Sequence, residues 1–95
     1  MNFGQALEAL KTGKRVARAG WNGKGMWIAL TPGSEFATEY AKPVHAAAHV
    51  AAEEPNEMIR LGAHIDMRAA DGTLVIGWLA SQTDMLADDW AVVEA

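Results

Sequence analysis

The segment His64-Ile65-Asp66-Met67-Arg68-Ala69 constrains the fold more than any other stretch, because apolar and polar side chains alternate along it. Ile65, Met67 and Ala69 fall on one face of an extended chain and His64, Asp66 and Arg68 on the other, the period of a half-buried strand. Asp71-Gly72 follows as a hairpin signal and returns the chain through Thr73-Leu74-Val75-Ile76. Strands joined by so short a turn run antiparallel. An antiparallel sheet is therefore the frame to which the other segments must be fitted.

Asn2 and Gln5 have the spacing of a capping pair, and Phe3, Ala6, Leu7 and Leu10 recur at helical intervals. These predict an amphipathic helix over about residues 3–12, ended by Gly13. Residues 15–19 read as a strand with Arg15 and Ala17 on one face and Val16 and Arg18 on the other, so Arg18 is the charge expected to point toward packed structure. Trp21-Asn22-Gly23-Lys24-Gly25 carries the Asn-Gly pair of a type I′ hairpin turn and leads into a second strand over 26–30. Between about 34 and 62 lie Pro43, Pro55 and an alanine-rich run, which read as a helix over about 44–54 flanked by irregular connections. Gly77 ends the strand before Trp78, Ser81 and Asp84 form a capping box for a short helix over about 82–87, and Trp90 to Val93 supply a last strand. The sum is an α+β domain: a small, mainly antiparallel sheet of about five strands, an N-terminal helix, a variable central helix and a short C-terminal helix.

A chain of 95 residues fits one small domain, expected here over 1–95 with a variable insertion at about 33–62. Without cysteine there is neither a disulfide framework nor a thiolate metal site. No apolar run approaches the roughly 20 residues of a membrane helix, and no signal-peptide layout is present at the N-terminus, so no membrane association and a cytoplasmic location are expected. The net charge of −4 hides an asymmetry. Residues 1–33 hold five basic side chains against Glu8, whereas residues 34–95 hold three against eleven acidic ones. A DNA or RNA polymer would be repelled by the second part, while a small anion could rest against the first.

The segment Trp78-Leu79-Ala80-Ser81-Gln82-Thr83-Asp84-Met85-Leu86 packs donors and acceptors beside a large aromatic ring. Trp21 and Trp78 flank polar segments and could stack on a base, whereas Trp27 and Trp90, inside strands, read as the structural pair. His45 and His49 are spaced for one helix face, but position 46 is Ala and no third ligand is defined, so no metal site is assigned. The absence of cysteine, of a His near Ser81 and of a general-acid partner for Asp84 gives catalysis little support, and Asp88 and Asp89 read as solvated helix-end charges. Binding without turnover, with no catalytic residue and no cofactor, is the simpler expectation.

Three stretches carry a family resemblance. Asn2-Phe3-Gly4-Gln5-Ala6-Leu7, then Val16-Ala17-Arg18 with Gly20-Trp21-Asn22-Gly23, and finally Gly77 to Leu86 before Asp89-Trp90 closely resemble the second family of phage Thoeris anti-defence proteins. Only the middle, about 33–62, finds no match. The resemblance implies a non-enzymatic molecular sponge, a homotetramer in the host bacterial cytoplasm during phage infection or from a prophage. It implies sequestration of cyclic ADP-ribose isomers made by Thoeris TIR enzymes and, in some members, of CBASS cyclic dinucleotides at separate pockets. On that basis Trp21 or Trp78 is expected to stack on adenine, Arg18, Lys24 and turn amides to meet the pyrophosphate, and Asn22 to belong to the same turn site. Ser81, Gln82, Thr83 and Asp84 are expected to bond ribose hydroxyls or base edges. Two other readings stay open: an enzyme that hydrolyses such a signal with Asp84 as base, and a small oligomeric phage module that binds a host protein through its tryptophans.

Overall fold

The computed structural model describes residues 1–94, which form two compact units: Met1–Thr31 with the chain from His64 onward, and Pro32–Ala63. The first unit opens with helix α1, Phe3–Lys11. Asn2 Oδ1 accepts from the Gln5 amide at 2.8 Å and Gln5 Oε1 accepts from the Asn2 amide at 2.9 Å, so the expected capping pair is formed on both sides. The helix ends as its sequence demands. Gly13 takes a φ of +89°, its amide donates to Leu10, and the Lys14 amide reaches back to Ala9, the paired bonds of a Schellman motif.

Strands β1 (Arg15–Arg18) and β2 (Trp27–Thr31) come next in this unit, and after the second unit it continues with β5 (His64–Arg68), β6 (Leu74–Val75), helix α3 (Gln82–Leu86) and β7 (Trp90–Val93). They make a five-stranded antiparallel sheet in the order β6-β5-β2-β1-β7, as the alternation predicted. The pairings Val16↔Ile28 and Val16↔Val92 put one face of the sheet against α1. Ala6, Leu10, Val16, Ile28 and Trp90 are buried there, with Phe3, Leu7, Leu30, Ile65 and Met67 packed around them. The opposite face carries Arg15, Ala17, Trp27, Ala29, Asp66 and Arg68, whose mutual placement follows from the same registers.

Asp66 departs from its expected place on a polar, solvated face: it is only 4% exposed. Its carboxylate accepts from the Thr31 hydroxyl and from the Gly77 amide, the latter at 3.0 Å, and the His64 Nε2 lies 3.4 Å away. A buried carboxylate is tolerated when such donors surround it, and here it fixes the exit of the chain from β6. The Asn22-Gly23 turn also differs from expectation. Asn22 is not among the residues with positive φ, so no type I′ turn forms, and β1 and β2 are joined by a wide loop over 19–26. Outside the loop, Asp89 takes the Ala19 amide on its backbone oxygen and the Gly20 amide on its carboxylate, which holds residues 19 and 20 against the entry to β7 instead of in a tight turn. Gly23 is required by close approach, since a Cβ there would fall 2.6 Å from that of Ala70.

The second unit holds β3 (Ser34–Ala37), a 3-10 turn (Thr38–Tyr40), α2 (Ala46–Glu53) and β4 (Met58–Leu61). Its β3–β4 pair, with Phe36 opposite Ile59, replaces the irregular connections expected around the helix. Each strand has four residues, too few for alternation to declare itself, and each finds its partner across the intervening helix. The helix starts at Ala46 because His45 is its N-cap in extended conformation, and it stops before Pro55. No helix among the described residues is long and apolar enough to cross a membrane.

Candidate functional site

Arg18 closes the sheet face that α1 covers. From the end of β1 its Nε donates to Asp89 Oδ1 and its Nη1 to Asp84 Oδ1, both at 2.8 Å, while Nη2 reaches Asp89 Oδ2 at 3.4 Å. Asp89 is thus no solvated helix-end charge; it sits at the entry to β7 and also receives the Gly20 amide at 2.7 Å. Asp84 is the centre of the arrangement. Its Oδ1 also accepts from Trp21 Nε1 at 3.0 Å, its carboxylate reaches back to the Ser81 amide, and its own amide donates to Ser81 Oγ in the capping box that starts α3. Its backbone oxygen takes the Trp90 indole N–H at 3.0 Å.

These bonds decide the charge states. Burial works to raise the Asp84 carboxyl, but the hydrogen bonds from Arg18, Trp21 and Ser81 together outweigh it and hold the group below the ordinary carboxylate range. The Arg18 hydrogen bond, aided by the Gly20 amide against the effect of burial, does the same for Asp89. The two carboxylates raise the Arg18 guanidinium in turn, Asp89 contributing most. The cluster is one cation between two anions, fully ionised near neutral pH.

Above this polar node stand three indoles. Trp21, Trp78 and Trp90 meet edge to face with ring centroids 5.3 to 6.3 Å apart, and Phe3 tilts against Trp90 at 5.5 Å. Trp90 is buried as expected, yet Trp27 is not its structural partner. The odd–even alternation of β2 puts Trp27 on the opposite face, where the Arg15 guanidinium lies 5.4 Å over its ring. The structure therefore brings Arg18, Trp21, Trp78, Ser81 and Asp84 together. Asn22, Gln82 and Thr83 are exposed beside them in the sequence.

Lys24 lies elsewhere. It lines an open groove of about 420 Å³ with Arg15, Trp27, Arg68, Gly72 and Glu94 among its walls. Arg15, Trp27 and Arg68 were not singled out from the sequence as site residues. Their convergence depends on the pairing of Trp27 with Arg68 and on the β1–β2 register, both long-range properties. The one available hint was the assignment of Arg15 to the face opposite Arg18. The His45–His49 spacing loses its meaning because His45 stands outside the helix. Among the described residues no three His, Cys, Asp or Glu side chains converge in a manner that could hold a metal ion.

Comparison with known proteins gives a consistent picture. The sequence profile of the Thoeris anti-defense 2-like domain matches residues 1–93. A relative named "Thoeris anti-defense 2", from Bacillus phage SP01, is 39% identical over 93 residues, covering 98% of this chain and 94% of its own.

Proposed function

The chain belongs to the Thoeris anti-defense 2-like family, and from that anti-defence role we propose that it is a phage sponge that binds and sequesters a cyclic nucleotide immune signal without cleaving it. The ligands are cyclic ADP-ribose isomers, with cyclic dinucleotides as a second class to be tested on the same protein. The observation that carries the non-catalytic reading is the state of Asp84. Its carboxylate accepts from Arg18, Trp21 and Ser81 and is held below the usual range, so it is a poor proton acceptor at neutral pH. A group so fixed shapes a site; it does not turn a substrate over.

In this reading Arg18, Ser81 and Asp84 brace the Gly20–Trp21 backbone and the start of α3, while Asn22, Gln82 and Thr83 offer exposed polar groups to ribose hydroxyls and base edges. Trp21 and Trp78 present the aromatic surface, which is worth roughly 1–3 kcal/mol per stacked base in comparable sites. A homotetramer in the host cytoplasm is part of the proposal. Leu74, Val75 and Ile76, on and beside the edge strand β6, and Leu79 beyond it, are 45–89% exposed, a surface suited to a subunit contact.

The test is isothermal titration with cyclic ADP-ribose isomers and cyclic dinucleotides, followed by heat denaturation of the complex and analysis of the released ligand. Saturable binding with intact ligand recovered is expected; linear product would establish hydrolysis instead. Absence of heat and of any thermal shift with every compound would overturn the sponge. Loss of binding in Thr83→Ala at unchanged oligomer size would assign α3 a direct contact.

A further inference from the structure

We propose that the groove lined by Arg15, Lys24, Trp27 and Arg68, on the sheet face opposite the Trp21–Trp78 surface, is a phosphate-anchoring site that holds the diphosphate of a further nucleotide molecule, a task the polar node around Arg18 is not built for. The proposal deepens the sponge reading and rests on it for the identity of the nucleotide. Its anion-binding half stands on charge alone. Arg18 is enclosed by two carboxylates, a local balance of 1 − 2 = −1. The groove holds Arg15, Lys24 and Arg68 against Glu94 alone, a balance of 3 − 1 = +2. A phosphate entering the node would displace or face Asp84 and Asp89; in the groove it meets an excess of donors.

The donors are also uncommitted. Arg15 gives one hydrogen bond, from Nη2 to the Glu94 backbone oxygen at 3.0 Å, and otherwise stacks on Trp27. The Lys24 and Arg68 side chains are exposed and make no hydrogen bond or ion pair with any described residue. Concentrating three cations in a chain of net charge −4 on one face, with two of them unpartnered, is costly in self-repulsion unless an anion relieves it. The space suits a ligand of nucleotide size, since about 420 Å³ lies within the usual span of small-molecule sites. Gly25 and Gly72, both at positive φ, add backbone without side chains to the groove walls. Trp27 supplies an indole beside the cations, so a flat ring and a charged group can be accommodated in one ligand.

The experiment titrates two probes, inorganic pyrophosphate and cyclic ADP-ribose, into the full chain and into Lys24→Gln/Arg68→Gln. A charge-matched control, Lys11→Gln/Lys42→Gln, removes two cations outside the groove. Pyrophosphate should bind the wild type and the control alike and weaken by roughly tenfold or more in the groove variant, the loss expected for charge-assisted bonds. Glu94→Gln should tighten it. Cyclic ADP-ribose should follow the same order. Pyrophosphate binding that is absent, or equal in groove variant and control, overturns the groove assignment. Cyclic ADP-ribose binding that survives unchanged in the groove variant also overturns it, and leaves the sponge intact. Groove-dependent pyrophosphate binding with no cyclic ADP-ribose binding by the wild type supports the anion site and removes the sponge reading. Both substituted side chains are exposed, and an unchanged thermal midpoint certifies the fold in each variant.

Discussion

Arg15 and Arg18 lie on the same short strand and point to opposite faces of the sheet. Arg18 directs Nε, Nη1 and Nη2 at Asp84 and Asp89, and its side chain is only 13% exposed. Arg15 stacks on Trp27, gives one bond to a backbone oxygen and borders an open groove with two further cations. The partner, not the residue type, decides what a cation is for. An arginine matched by carboxylates organises the backbone around it, whereas an arginine left among other cations keeps its donors for something else.

The largest expected effect contrasts the two tryptophans that belong to these faces. Trp90→Ala removes a side chain that is 2% exposed, contacts Phe3, Trp21 and Trp78, and donates to Asp84, and should cost about 3–5 kcal/mol in urea denaturation. Trp27→Ala should cost about 1 kcal/mol or less, mostly its interaction with Arg15. Equal losses would mean that the groove face is as much core as the α1 face, and the contrast would fail.

Arg18 comes next. Arg18→Gln strands Asp84 and Asp89 without their cation, so it should lower the denaturation midpoint clearly more than Arg15→Gln does. The acid limb sharpens the same point. Both carboxyls are depressed in the folded state, so folding is favoured by their ionisation above the unfolded value near pH 4, and that stability is lost as pH falls through the unfolded and then the folded pKa. Stability should therefore be flat from about pH 7 to 5 with respect to these groups and decline below about 4. In Arg18→Gln the carboxyls should titrate higher, by carbon-13 chemical shift, and because the unfolded value still sets where the decline begins, the acid loss of stability should become shallower. Coincident titration curves for the two proteins would show that Arg18 does not control these aspartates.

How much of this could be read in the sequence follows from the range of each interaction. The Asn2–Gln5 and Ser81–Asp84 caps, the Gly13 helix end and the 64–76 hairpin are local, and each stands where the spacing put it. The second unit was legible only as a helix, because Phe36 and Ile59 meet across more than twenty intervening residues. Asp89 looked like a solvated charge until Arg18, 71 positions earlier, came to it. The burial of Asp66 likewise depends on Thr31 and Gly77, neither of which is its neighbour in sequence. At the site, the capping duty of Ser81 and Asp84 is local, whereas the exposure of Gln82 and Thr83 depends on how α3 is seated. The groove was hidden altogether, since Arg15, Trp27 and Arg68 share a face only once two strand registers are fixed.

Smaller effects separate bracing from binding. Ser81→Ala removes the side-chain acceptor of the Asp84 amide and should cost about 1 kcal/mol, the usual worth of such a cap. Because Asp84 also holds Trp21, the loss should appear in the fluorescence of the indole cluster as well as in the denaturation midpoint; an unaltered midpoint would show that Arg18 alone fixes Asp84.

The smallest expected change is in the stability of Arg15→Gln, and it is the most discriminating. The substitution removes one hydrogen bond to the Glu94 backbone and a cation over Trp27, so the midpoint should move by no more than the equivalent of about 1 kcal/mol. It should nevertheless weaken anion binding and flatten its dependence on salt, since one of the three groove cations is gone. Pyrophosphate titrations at low and high ionic strength read both quantities in one series. A large stability loss with salt dependence unchanged would make Arg15 a second Arg18, a bracing residue on the other face, and would erase the distinction between the two ends of β1.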